Sequence, residues 1–219
     1  MSPCRWDYRM VEPRGMRPVG RGVVQQGECL SVTPERVAMS EVRALIAEVA
    51  MARQRFLDGM RGLTYEQRTF RPAVGEWNAE EVTEHLVRAE QSGVYKIWQA
   101  AEGVQRGTPV WQGEPVHRGL SIEEIIARTW QPKEQAPDVA VPQWHGPLAF
   151  WVASLAACQV ALEPLADVLA GMALAQIIAP HPISGPLDAD QRLQFLRWHL
   201  DHHRRQVEEI KRSPGYPVW

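Results

Sequence analysis

The stretch Leu187–Arg212, LDADQRLQFLRWHLDHHRRQVEEIKR, decides the fold. Asp188 stands where a side-chain oxygen can cap a helix, and Leu193, Leu196, Leu200, Val207 and Ile210 then recur at the 3.6-residue period of one inward face. The same helix carries His199 and His203, whose four-residue spacing places them one turn above each other. Two imidazoles so placed can converge on one ion. The H-E-x-x-H zinc motif uses this logic, although here Leu200, Asp201 and His202 intervene and no glutamate base is present.

Three further long helices are expected upstream. SEVRALIAEVAMARQRFLDGM places Val42, Leu45, Ile46, Val49, Phe56 and Met60 at helical spacing, with Arg and Glu between them. Thr64 followed by Gln67 has the form of a capping box and predicts a short helical turn, before Pro72 and Gly75 break the pattern. Asn78, with Glu81 three residues on, caps AEEVTEHLVRAEQSGVYKIWQAAE, whose inward stripe of Val82, His85, Leu86, Ala89 and Ile97 includes a histidine. The third runs from about Pro147 to Leu169 through Leu148, Trp151, Val152, Leu155, Leu162 and Leu165, and Pro164 predicts a kink or break within it.

Between the second and third long helices, residues 103–146 are rich in Pro, Trp and His and read as a crossover connection. Its one helix, Ser121–Trp130, is opened by the box Ser121 to Glu124. Residues 171–186, GMALAQIIAPHPISGP, read as a last loop. No run alternates with a period of two between hairpin signals, and no repeat recurs at fixed spacing. The expected fold is all-α, built on four long helices.

Composition narrows the function. The chain has 219 residues, 45% of them hydrophobic, and a formal charge of -2, so nothing sequence-wide favours nucleic acid or an anionic membrane as partner. Cys4, Cys29 and Cys158 form neither a disulfide framework nor a thiolate zinc knuckle, and a reducing cytoplasm is the expected location. The longest apolar run, Leu148–Leu162, is shorter than the roughly 20 residues that a bilayer span needs. Residues 1–38 carry six Arg, no Lys and no sustained apolar period, and are expected to form a flexible leader; translation from Met39 is an alternative start. Residues 39–219 are one domain's worth of chain.

The histidines are the sharp chemical clue. His85 on the second helix could be brought opposite His199 and His203, and three neutral imidazoles suit Zn, Ni, Cu or Fe while leaving a position for water or substrate. A lone inward histidine is more commonly a hydrogen-bonded core residue; the i, i+4 pair strengthens the case for an ion without displacing that reading. Gln206 and Glu81 are candidates to orient His203 and His85, though an ordinary helix surface and an ordinary cap account for them equally. His202 is expected in solvent, and His117, His145 and His181 lie in loops where they could line a mouth. Most of Trp77, Trp98, Trp111, Trp130, Trp144, Trp151 and Trp198 are expected in the core, with a few walling an apolar pocket, and Cys158 reads as a buried inert thiol. Motifs for nucleotide phosphates, serine hydrolases and dithiols are missing.

RPAVGEWNAEEVTEHLVRAE and HPISGPLDADQRLQFLRWHLDHHRRQVEEI together resemble the first metal-histidine segment and the C-terminal helix of the DinB-like superfamily. These are damage-inducible, metal-dependent proteins, unrelated to the translesion polymerase that shares the name. The resemblance covers roughly Met39–Arg212 and implies an up-down-down-up four-helix bundle with a long crossover between helices two and three. It further implies a divalent metal ion on His85, His199 and His203, with Zn or Ni foremost. Members are similar to transferases that attach bacillithiol, mycothiol or glutathione to electrophiles, to a thiol-dependent maleylpyruvate isomerase, and to metal-dependent hydrolases. The implied partners are a small-molecule substrate and a low-molecular-weight thiol, and members often form homodimers. One departure is that Leu200 follows the first His of the C-terminal pair where members often carry Asp, and Asp201 comes one later. A metal-dependent thiol transferase is the leading expectation, with no dedicated general base evident. The alternatives are a hydrolase and a non-catalytic, stress-related metal-binding or interaction module.

Overall fold

In a computed structural model, residues 34–131 and 135–218 are described. They are mostly helical: α1 (Pro34–Met60), α2 (Tyr65–Thr69), α3 (Ala79–Gln105), α4 (Ile122–Thr129), α5 (Leu148–Leu162), α6 (Leu165–Val168) and α7 (Ala189–Arg212). The leader expected over residues 1–38 lies outside the described residues as far as Thr33, and α1 begins at Pro34, ahead of the periodic segment.

Local sequence explains where the helices start. Thr64 with Gln67, Asn78 with Glu81, Ser121 with Glu124, and Asp188 with Gln191 each form a complete reciprocal capping box. Each pair satisfies two backbone N–H groups that a helix start leaves without partners, and a cap of this kind is worth about 1 kcal/mol. The expected third long helix is divided. The Pro164 ring and its missing N–H end α5 at Leu162, and α6 resumes at Leu165.

α1 packs most extensively along α7, α3 along α5, and contacts of α3 with α7 and of α1 with α5 complete the arrangement. The core they enclose includes Phe56, Leu86, Ile97, Leu155, Leu162, Leu165 and Leu193, all essentially inaccessible. Burying each such side chain contributes about 1.5–3 kcal/mol. A buried ion pair crosses this core: Arg53 of α1 donates to Glu90 of α3 at 2.7 Å, and to Gln159 of α5. By length and composition Leu148–Val168 would suffice to cross a bilayer, a longer apolar stretch than the run ending at Leu162 suggests. Here its inner residues, among them Trp151, Leu155 and Leu165, belong to the core.

Residues 171–186, read from the sequence as a loop, instead contain most of a β-hairpin. β1 (Ile178–His181) and β2 (Gly185–Asp188) pair antiparallel, Ala179 opposite Leu187 and His181 opposite Gly185. Gly185 turns the chain at φ 74, a left-handed conformation that favours glycine. Four-residue strands containing Pro180 and Pro186 carry no alternating pattern, so their pairing is set by packing. α4 seals one side of this hairpin, where Ile122, Ile125 and Ile126 cluster with Leu187 and Phe195.

The start of α3 is buried all round from Glu81 to Val87 rather than along one stripe. The α4–α5 connection crosses it. Glu84, fully buried, accepts the backbone N–H groups of Gln143, Trp144 and His145 at 2.6, 2.8 and 2.9 Å. Burial works to raise this carboxyl's pKa, but the three N–H donors together hold it below the ordinary glutamate range.

Candidate metal centre

The first turns of α3 and the middle of α7 bring three imidazoles together. His199 Nε2 lies 3.2 Å from His85 Nε2 and 3.0 Å from His203 Nε2, and all three rings are buried. Their ligating nitrogens fall within 4.8 Å of one another. Two nitrogens on one tetrahedral zinc, with bonds of about 2.0–2.1 Å, stand roughly 3.3 Å apart, so the spacing has the scale of a shared ion.

The outer nitrogens fix which atoms face inward. His85 Nδ1–H donates to the carbonyl of Ala140 at 2.9 Å, and His203 Nδ1–H donates to Gln206 Oε1 at 2.7 Å. In the neutral rings both Nε2 atoms therefore present lone pairs to His199. His199 Nε2 could at most give one proton to one of them, and its Nδ1 is buried without a partner. A cation among the three Nε2 atoms would satisfy every lone pair at once. Burial is the main cause that pushes the His85 pKa down to about 4 and those of His199 and His203 well below the ordinary value, neighbouring imidazoles adding to the shift. All three are thus uncharged at neutral pH, the form that binds metal. The donor set fits a divalent ion of the late first row.

Gln206 occupies the supporting position expected of it; Glu81 does not. The Glu81 carboxylate accepts from the Asn78 backbone N–H and pairs with Arg71 and His145, so it acts as a cap, and the Ala140 carbonyl orients His85 instead. Asp201 turns outward to Arg55, accepting from its Nη2 at 2.9 Å.

A cavity of about 1080 Å³ opens above the imidazoles. Trp77, its ring 5.0 Å from that of His85, and Phe195, stacked on His199 at 5.3 Å, form walls, with Trp130 farther along. His181 and His202 line it too. His202 is half-buried and stacks on Trp198 at 4.9 Å, so it is not simply solvated as expected. Two backbone N–H groups, of Ile183 and Ser184, donate to His181 Nδ1. His117 ties down the hairpin turn by donating to the Ser184 carbonyl, and His145 is exposed at the loop after α4. Of the seven tryptophans expected mostly in the core, only Trp151 is fully buried; Trp144 is 69% exposed and the rest are intermediate. Their rings line surfaces and the cavity, where an indole can keep one polar edge. Cys158 is buried, which pushes its thiol up to about 12 and makes it inert.

Sequence reasoning passed over Ala140, Glu84, Phe195 and Arg192. The last two could have been found, because they lie four and seven residues before His199 on the same helical face.

The sequence model of the DinB superfamily matches residues 48–207, a span that includes all three histidines. Neither a curated protein nor a solved structure gives a match.

Proposed function

The chain belongs to the DinB superfamily, and from that premise we propose that it is a metal-dependent enzyme of the thiol S-transferase type, acting on small electrophiles. One observation carries the reading: three uncharged imidazoles converge at the floor of a large, aromatic-walled cavity. Bound there, a divalent ion, Zn or Ni, supplies the Lewis acidity that converts a thiol or a water into a nucleophile at neutral pH. The chain's own residues set the conditions. Ala140 and Gln206 lock two of the rings with Nε2 inward. Phe195 and Trp77 keep water from one side and offer flat apolar surfaces to a substrate. The opening above the imidazoles favours a substrate-accessible ion over a closed structural one.

The choice of thiol transfer over hydrolysis rests on likeness to family members. The same likeness supports a cytoplasmic location, a low-molecular-weight thiol as co-substrate, and a homodimer, to which the exposed Phe150 and Val160 of α5 lend an apolar face. The bundle is inferred to run up-down-down-up through α1, α3, α5 and α7. The long connection between α3 and α5 supports this, since parallel neighbours need a chain that returns the full length of a helix.

Elemental analysis of the purified protein tests the centre. One equivalent of Zn or Ni in the parent and none in a His199→Ala, His203→Ala variant supports it; a metal-free parent after reconstitution overturns it. Loaded protein is then given bacillithiol, mycothiol or glutathione with monochlorobimane. Thiol consumption that needs His85 supports transfer, and its absence with all three thiols removes the transferase reading while leaving the metal centre.

A further inference from the structure

The cavity wall holds a buried cation that meets no carboxylate among the described residues. Arg192 of α7 is 5% exposed and lines the cavity. Its Nη2 donates to the carbonyls of Ala179 and Pro180 in β1, and its Nε has no partner. No ion pair among the described residues includes it. Arg53, buried to the same degree, shows what this fold does with a structural arginine: it meets the fully buried carboxylate of Glu90. Burial draws Arg192 down to about 10, with no anion among the described residues opposing it, so the group remains charged at neutral pH. Carbonyl dipoles solvate such a charge without neutralising it, and an uncompensated buried charge is costly unless a ligand completes it. Glu76 and Glu209 border the same cavity but are exposed at its rim.

Position adds length to this charge. Seven residues are nearly two turns, so Arg192 and His199 share a face of α7 about 10 Å apart along the axis. Phe195 lies between them, its ring stacked on His199 and 4.5 Å from His181. Along α7 the cavity lining thus reads cation, aromatic surface, imidazole cluster. Resting on the reading of this cavity as the substrate site, we propose that Arg192 binds the carboxylate of an elongated organic acid. Its apolar body lies over Phe195 and its other end reaches the three imidazoles. A planar guanidinium matches a carboxylate in shape as well as charge.

Calorimetric titration with 4-phenylbutyrate and its neutral isostere 4-phenylbutanamide tests this, using full-length protein both stripped of metal and loaded with zinc. The stripped protein is expected to bind the acid about tenfold more tightly than the amide, as a charge-assisted pair requires. Arg192→Gln should erase that preference while amide binding stays, and Arg192→Lys should keep part of it. The His199→Ala, His203→Ala variant should keep it whole. A preference that appears only with zinc and follows the histidines would mean that the acid sits on the ion, which overturns the role of Arg192 and leaves the metal centre standing. Should Arg192→Gln not fold, the unaltered stripped protein still decides: equal affinity for the two probes, or none for either, overturns the proposal. Metal content, read separately, reports on the centre itself.

Discussion

His203 Nδ1 lies 2.7 Å from Gln206 Oε1, one turn along the same helix. The contact fixes the ring's tautomer, so a residue outside the imidazole cluster controls which lone pair enters it. Gln206→Ala frees the ring to rotate and to carry its proton on either nitrogen. We expect a zinc affinity lower by about 10–100-fold with an unchanged far-UV spectrum, the usual loss when the partner of a ligating histidine is removed. Competition against a chromophoric chelator reads it, and an unaltered affinity would reduce Gln206 to a surface residue.

Glu84 fixes the other half of the centre indirectly. By holding the N–H groups of residues 143–145 it anchors the connection whose Ala140 carbonyl orients His85. Glu84→Gln removes a buried charge-assisted acceptor, and we expect a loss of about 1.5–3 kcal/mol in urea unfolding. Weaker zinc binding should accompany it. A stability loss with full zinc affinity would show that His85 is positioned without the connection.

The Arg53–Glu90 pair should respond asymmetrically. Arg53→Met alone leaves a buried carboxyl whose pKa burial already raises, against the pull of Arg53, and should cost about 3–5 kcal/mol. Arg53→Met with Glu90→Leu should recover most of that loss, because no charge is then stranded. Thermal or urea melts of the two single variants and the double variant close the cycle; additive losses would mean that the pair is not a unit.

Acid should weaken the metal-free fold through its buried histidines. Their folded pKa values lie below the unfolded value near 6.5, His85 at about 4 and His181 at about 3. The unfolded chain therefore takes up protons first, and stability present above pH 6.5 is lost as pH falls toward those values. Each buried imidazole contributes up to about 1.4 kcal/mol per pH unit across that window. Urea midpoints with chelator present should fall from pH 7 to pH 5; a flat profile would contradict neutral burial.

The helices were legible because their information is local. The four capping boxes and the leucine positions of α7 need no knowledge of distant chain. The His199–His203 pair was legible for the same reason, being set by helix pitch alone. The hairpin was not, since Pro180 and Pro186 obscure any strand pattern and its contacts come from α3, α4 and α7. The supports of His85 were hidden likewise: Ala140 and residues 143–145 reach α3 only through the path of the connection, which no periodicity encodes. Tryptophan misled because hydrophobicity predicts burial, while an indole with one polar edge often settles at a boundary.

The three candidate ligands come from opposite sides of that connection, His85 before it and His199 and His203 after it. A cut anywhere in the connection would leave two pieces, neither able to offer an ion all three nitrogens, yet each completing the other. In such a nicked molecule a bound ion would add a clasp to the shared core, and taking it away with a chelator would speed the exchange of fragments between molecules.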